Sequence, residues 1–139
     1  DGDIDPAQLT QALAKGARLI RDEAKGNLKA AIASGGDEAT GLLEKNVIAS
    51  RGKPPSSGKG ERYLVRVKRR SYPKKGGKPV TTLKTAHLLE YGSAHQPATP
   101  WLRPAFQSKA AQAIDVVVTD LKRRIELTVK KLAAQNKGR

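Results

Sequence analysis

The chain has 139 residues and a formal net charge of +14, from 27 Lys or Arg residues and 13 Asp or Glu residues. This length is typical of one domain, which we take to span residues 1–139, and the absence of cysteine excludes disulfides and thiolate metal sites. No apolar run approaches the roughly 18 residues of a membrane span, and no signal peptide is visible, so no membrane partner is expected. The charge favours a polyanion or an acidic protein surface as partner.

A long first helix is predicted between Asp5 and the glycine pair at residues 35–36. Asp5 is a suitable N-cap, and Pro6 is a suitable first helical residue. Apolar residues then recur every three or four positions, the spacing of one helix face. They are Leu9, Leu13, Ala17, Ile20, Ala24, Leu28 and Ile32.

The next apolar cluster predicts a short helix over residues 38–49. Its inward residues would be Leu42, Leu43, Val47 and Ile48.

A long basic hairpin is predicted after a loop rich in Pro, Ser and Gly. Residues 61–72 alternate with period two, which places Tyr63, Val65 and Val67 on one side of a strand. The stretch "PKKGGKP" is predicted as a turn, and "VTTLKT", residues 80–85, as the returning strand.

Positive charge is concentrated in residues 51–79, which contain eleven Lys or Arg residues and one acid, a net charge of +10. The segment suits contact with a DNA backbone or an acidic neighbour, although it is equally compatible with a solvated mobile loop. The candidate contact residues are Lys59, Arg62, Arg66, Lys68, Arg69, Arg70, Lys74, Lys75 and Lys78.

Two more helices are predicted, one over residues 85–91 that ends at Gly92, and a long one that closes the chain. Residues 134–139 are expected to fray. The long helix has an apolar stripe of Phe106, Ala110, Ala113, Ile114, Val117, Leu121, Ile125, Val129 and Leu132. The fold class is therefore α+β, with long N-terminal and C-terminal helices packed on a small antiparallel sheet.

Nothing in the sequence predicts an enzyme, a cofactor or a metal site. The glycine-rich stretch "GKPPSSGKG" has the wrong spacing for a phosphate loop, and Gly60 stands where Ser or Thr is required. His87, Glu90 and His95 are a weak candidate for a metal site, because no second carboxylate lies nearby in the sequence. With only two tyrosines in the basic segment, the chain also lacks a platform for stacking bases.

The stretch "HLLEYGSAHQPATPWLRPAF", residues 87–106, holds three prolines and the only Trp and Phe of the chain. Each proline fixes a backbone dihedral, and Pro104 suits the first turn of the last helix. The stretch is thus a rigid corner, which could pack only against its own core or could also contact a second subunit.

The segment "LLEYGSAHQPATPWLRPAF", followed by a long helix, resembles the head–tail joining, or tail completion, proteins of the siphophage tail-component family. The earlier "TGLLEKNV" and the order of helix, basic hairpin and corner also match that family. Ser93 replaces the commoner Thr of the pattern, and Trp101 replaces the commoner Phe.

The resemblance implies a non-enzymatic virion protein that forms a ring, a hexamer, in the neck of a tailed phage after assembly in the host cytoplasm. It would join the head-closure or connector protein to the tail terminator or tail tube, and DNA would pass through its lumen. Residues at or beside the subunit interface would then be Glu90, Tyr91, Trp101, Leu102 and Arg103.

Two other classes remain open from the sequence. One is an accessory protein that binds DNA in solution without reading sequence, and it would show strongly salt-dependent duplex binding. The other is a small basic nuclease or ribosome-associated protein, for which the chain has no credible catalytic set.

Overall fold

The computed structural model describes residues 5–35, 41–56, 58, 60–72 and 80–137. Within them the elements are α1 (Pro6–Gly35), α2 (Leu42–Lys45), β1 (Val47–Arg51), β2 (Tyr63–Val67), α3 (Thr82–Tyr91) and α4 (Leu102–Lys137). Two long helices and a two-stranded antiparallel sheet confirm the predicted α+β class.

Helix α1 begins where the sequence predicts. The Asp5 carboxylate accepts a hydrogen bond of 3.1 Å from the Ala7 backbone N–H, and Pro6 is the first helical residue. Ala24 and Leu28 of the predicted stripe are fully buried.

Helices α1 and α4 pack in antiparallel directions. The Asn27 side chain donates to the carbonyl of Trp101 near one end, and Arg124 donates to the Gln11 side chain near the other. Between these ends the backbones approach closely at Gly16, where a Cβ atom would lie 2.7 Å from Val117 Cγ2 and 2.9 Å from the Ala113 carbonyl oxygen. Glycine is therefore required by the distance between the helices.

The sheet differs from the prediction. Strand β1 pairs with β2 from Val47 opposite Val67 to Arg51 opposite Tyr63, so the helix predicted for residues 38–49 is wrong beyond Lys45. The spacing of Leu42, Leu43, Val47 and Ile48 also fits a helix face; pairing with β2 puts β-branched Val47 in the core as a strand residue. Residues 38–40 lie outside the described residues.

The predicted returning strand over residues 80–85 is also wrong after its first residues. Tyr72 N–H bonds to the Val80 carbonyl at 2.8 Å, and Ser71 forms an isolated bridge with Thr81, but helix α3 starts at Thr82. The Thr81 hydroxyl oxygen accepts from Lys84 N–H and caps the helix. Thr82 is buried, and its hydroxyl bonds to the backbone of Lys68 and Arg70.

The core lies between α1, the inner face of the sheet, α3 and the start of α4. Its largest member is Trp101, which is 2% exposed. The other buried members are Ile20, Ala24, Leu28, Leu43, Val47, Ala86, Leu89, Ala105 and Ala113.

Helix α4 starts at Leu102, and Pro104 lies in its first turn as predicted. Its 36 residues span about 54 Å at 1.5 Å per residue. The helix continues to Lys137, and residues 138–139 lie outside the described residues. Fraying of residues 134–139 stays a prediction.

Candidate functional site

The corner between α3 and α4 is organised by the carboxylate of Glu90, which is 4% exposed. Glu90 Oε2 accepts hydrogen bonds from the backbone N–H groups of Trp101 at 2.7 Å and Leu102 at 2.9 Å, and Oε1 accepts one from Arg103 N–H at 2.9 Å. The first four N–H groups of a helix have no partner inside it. Here three of them bond to Glu90, and the fourth position is Pro104, which has no N–H.

Glu90 therefore caps α4 from a different helix, and its negative charge lies at the positive end of the helix dipole. Burial alone would raise the pKa of Glu90, but the backbone donors and the Arg103 side chain outweigh it and hold the pKa below its usual value.

Arg103 joins the same corner through its side chain. Its Nε donates to Glu90 Oε1 at 2.9 Å, and its Nη2 donates to the Glu90 carbonyl at 3.0 Å. Its guanidinium also lies 4.8 Å from the centre of the Tyr91 ring, a cation–π geometry. The Tyr91 ring contacts the His87 ring at a centroid distance of 4.7 Å.

Trp101 ties the corner to the rest of the molecule. Its indole N–H donates to the Ala86 carbonyl at 3.2 Å, and its own carbonyl accepts from Asn27 of α1 at 3.1 Å. One aromatic residue thus connects α1, α3 and α4.

Gly92 makes the turn out of α3 possible. Its backbone has φ 75° and ψ −176°, a combination that is essentially restricted to glycine. A Cβ atom here would also lie 2.7 Å from the Ala98 nitrogen. The segment "EYGS" therefore combines a helix cap, an aromatic contact and an obligatory glycine.

The structure brings all five predicted interface residues together at this corner. Glu90 and Trp101 contact their own chain and are buried, whereas Tyr91 is 58% exposed and the Arg103 side chain is 53% exposed. Leu102 is half-buried. Contact with a second subunit stays a prediction, and Tyr91 and Arg103 are the residues that present surface for it.

The basic candidates that the structure describes are exposed along β2 and the residues after it. Arg66 and Lys68 alternate with the inward Val65 and Val67, so they share the outer face of the hairpin that β1 and β2 form, and Arg62 immediately precedes β2. Arg66 Nε donates to Ser50 at 2.8 Å. Arg69 and Arg70 follow the strand. The remaining predicted contacts, Lys59, Lys74, Lys75 and Lys78, lie outside the described residues.

One surface was not predicted: the outward side of α4 is apolar. Only Ala113 of its predicted stripe is buried, and Val117 and Leu121 are half-buried. Other residues face solvent, including Ile114 at 62% exposure and Val129 at 59%. We give the name α4 stripe to the large exposed residues of the predicted stripe together with the exposed Val118: Phe106, Ile114, Val118, Ile125, Val129 and Leu132.

The N-terminal part of the α4 stripe, from Phe106 to Val118, borders an open groove between α1, α4 and β2. The groove has a volume of about 450 Å³, and its walls are mainly apolar residues of the two helices, with Tyr63 and Val65 at the sheet. Spacing alone could have revealed that α4 has more apolar residues than one helix contact can cover, because Ala113 and Ile114, or Val117 and Val118, point to different sides.

A charge cluster around Asp120 was also not predicted. Its side chain is 4% exposed and bonds to Arg124 Nε at 2.6 Å, Lys15 Nζ at 2.6 Å and Arg123 Nη2 at 3.0 Å. Arg124 and Lys15, and to a lesser degree Arg123, hold the pKa of Asp120 far below its usual value despite its burial. Lys15 is the only one of these partners that lies on α1, so the cluster ties the two long helices together.

The described residues contain no group of three His, Cys, Asp or Glu side chains placed to hold a metal ion. All buried side-chain nitrogen and oxygen atoms in the same part of the chain have hydrogen-bond partners. In these ranges no helix has the length and apolar character needed to cross a bilayer. The features that the described residues present are a rigid corner, an apolar helix face and positively charged surfaces.

Comparison of the chain with protein-family models, with curated proteins and with solved structures gave no match.

Proposed function

We propose that this chain is a structural subunit of a tailed-phage neck, where copies of it form a ring that joins the DNA-filled head to the tail. The observation that carries the proposal is the α4 stripe, together with the groove beside it. Large exposed apolar surfaces are uncommon on monomeric proteins and mark sites of association. The "EYGS…PWLRPA" corner adds the resemblance to head–tail joining proteins and presents Tyr91 and Arg103, residue types that are enriched in interfaces.

The corner also supports the proposal physically. A ring needs subunits whose contact surfaces keep fixed relative positions. Glu90, Pro104 and Trp101 hold the start of α4 to α3 and α1, so the α4 stripe and the Tyr91–Arg103 surface keep one geometry. In the ring, the outer face of the hairpin would contact DNA in the lumen or an acidic neighbouring ring.

Electron microscopy of the purified full chain, with sedimentation to measure its mass, tests the proposal. We expect closed rings for the unchanged protein and a shift to monomers for Ile114→Lys, because Ile114 is exposed in the monomer and a buried lysine would oppose association. Thr119→Lys is the matched control, because Thr119 is exposed on another side of α4 and the charge change is the same. A protein that stays monomeric at high concentration and with neck partners present would contradict the proposal.

The second candidate function is a DNA-binding accessory protein that acts in solution. The exposed Arg62, Lys68 and Arg69, whose side chains make no hydrogen bond or ion pair within the described residues, favour it. Such a protein would bind duplex DNA as a monomer or dimer, with affinity that falls by several powers of ten per tenfold rise in salt. The ring-forming subunit would instead bind DNA weakly on its own and associate with neck proteins.

A further inference from the structure

A second positively charged site lies away from the hairpin's outer face, in a cleft where α1, α4 and β2 meet. The cleft has a volume of about 320 Å³. Its polar lining is Thr10, Gln11, Lys15, Arg18, Tyr63 and Arg124. Three cations line this cleft and no acidic residue does.

Arg124 is held in place by two acceptors. Its Nε donates to Asp120 at 2.6 Å, and its Nη1 donates to Gln11 Oε1 at 2.7 Å. A guanidinium has five N–H groups, so three remain for another acceptor. The Arg124 side chain is only 16% exposed, so its position is set by the fold before any ligand arrives.

Lys15 is positioned by the same carboxylate, at 2.6 Å, and its side chain is still 44% exposed. Arg18 lies one turn further along α1 and is exposed, and its side chain makes no hydrogen bond or ion pair within the described residues. The cleft thus combines two oriented cations with one whose donors are all free.

The charges around Asp120 do not balance. One carboxylate serves Lys15, Arg123 and Arg124, and Arg18 adds a fourth cation at the cleft. The other acid nearby is Asp115, which lines the neighbouring pocket with Lys15 and Arg123, so the cations still outnumber the acids. The positive charges of Lys15, Arg18 and Arg124 repel one another, so an anion that binds between them would be attracted by all three.

We propose that this cleft binds a phosphate group, either of a polynucleotide backbone or of a free polyphosphate. A phosphate has several oxygen atoms in a tetrahedral arrangement, so it can accept from Arg18, Lys15 and Arg124 on two helices at once. Tyr63 forms the third wall, where its ring and hydroxyl lie beside the anion. Binding of a polynucleotide backbone would extend the proposed contact with DNA, and in that respect the inference rests on the proposed function.

Titration of the full chain with tripolyphosphate, and with a fluorescent single-stranded oligodeoxynucleotide, tests this site. Arg18→Ala removes a free cation without a structural contact, and Lys130→Ala is the matched control, because Lys130 is exposed on α4 outside the cleft. Loss of a charge-assisted contact predicts about tenfold weaker tripolyphosphate binding for Arg18→Ala, and less than twofold for Lys130→Ala. Equal effects of the two substitutions would show attraction to overall charge only and would overturn the proposal.

The two probes distinguish the sources of phosphate. If Arg18→Ala weakens both ligands, the site accepts a polynucleotide backbone; if it weakens only tripolyphosphate, the site accepts free polyphosphate. Competition by polyglutamate as effective as by tripolyphosphate would overturn the preference for phosphate. Ring formation by the same variants, observed by microscopy, separates the two proposals: intact rings with unchanged phosphate binding would reject the cleft and leave the neck assignment standing.

Discussion

Glu90 connects two helices through one carboxylate. A helix cap contributes about 1 kcal/mol, and hydrogen bonds to a charged group contribute about 1.5–3 kcal/mol each, although such values do not add in full. Because the carboxylate is buried and satisfied by three backbone donors and Arg103, its removal would leave those donors without a partner.

Glu90→Ala should therefore lower the free energy of unfolding by about 3 kcal/mol, and Glu90→Gln by about half as much, since the amide keeps one acceptor oxygen. Urea unfolding followed by circular dichroism measures both. Glu126→Ala is the control, because Glu126 is an exposed acid on α4, the helix that Glu90 caps, and its effect should stay within about 0.5 kcal/mol. A Glu90→Ala protein as stable as this control would show that the cap contributes nothing.

The two acids with lowered pKa, Glu90 and Asp120, predict how stability depends on pH. An unfolded carboxylate takes up a proton near pH 4, whereas the folded one does so only at lower pH. Their contribution is therefore fully present above about pH 5 and is lost as the pH falls through 4 towards the folded values. Urea unfolding between pH 7 and pH 2.5 should show this loss, with a shallower fall for Asp120→Asn. If the free energy of unfolding falls equally steeply with pH for the unchanged protein and for Asp120→Asn, the lowered pKa of Asp120 does not contribute to stability and the prediction is wrong.

At the scale of elements, the two long helices were predictable, whereas the strand pairing and the bounds of the two short helices were not. The stripe of α1, its start at Pro6, the end of α3 at Gly92 and the alternation of β2 all follow from local spacing and turn chemistry. The partner of β2 depends on residues about sixteen positions earlier, so neither propensity nor period identifies β1. Thr81 and Thr82 favoured a strand by type, but one caps α3 and the other bonds to buried backbone groups.

In the candidate site, too, the locally determined features could be predicted from the sequence and the contacts between distant residues could not. The corner could be predicted, because prolines and glycine constrain the backbone locally. The charge cluster could not, because Lys15 and Asp120 meet only when α1 packs on α4. The direction of the α4 stripe was likewise decided by which side of α4 the first helix covers.

Two glycines of α1 provide a matched test of helix packing. Gly16→Ala should lower the free energy of unfolding by about 1–3 kcal/mol, because its Cβ would lie 2.7 Å from Val117. Gly26→Ala should raise it by about 0.5–1 kcal/mol, since nothing lies within 4 Å and alanine favours the helix. Thermal and urea unfolding measure both. A stabilising Gly16→Ala would mean that the two helices do not approach each other this closely.

At the scale of the molecule, little of the described chain packs against the second half of α4. Every residue from Ile125 to Asn136 is exposed, although Ile125, Leu127, Val129 and Leu132 are apolar. An isolated helix end of this kind gains no stability from its apolar side chains in the monomer. Their free-energy contribution becomes available only on association, which is the behaviour expected of an assembling subunit.

Replacing Ile125, Val129 and Leu132 together by Gln should therefore leave the monomer's unfolding temperature within about 2 °C and abolish association. Analytical ultracentrifugation and thermal circular dichroism separate the two effects. Lys122→Gln with Glu126→Gln is the control, since it changes exposed residues of α4 without changing the net charge. Association that survives the triple substitution would place the subunit contact elsewhere.

The closed start of α4 has a consequence for any negatively charged partner. Exposed helix N-termini attract phosphates through their free N–H groups and their dipole. Here an internal carboxylate and a proline leave no free backbone N–H at the start of the longest helix, so the backbone at this end offers a phosphate no donor. A polyanion partner would then be bound by side chains, such as those that line the cleft between α1, α4 and β2. If the proposed contact with DNA exists, side chains and not the backbone at the start of α4 would bind its phosphates.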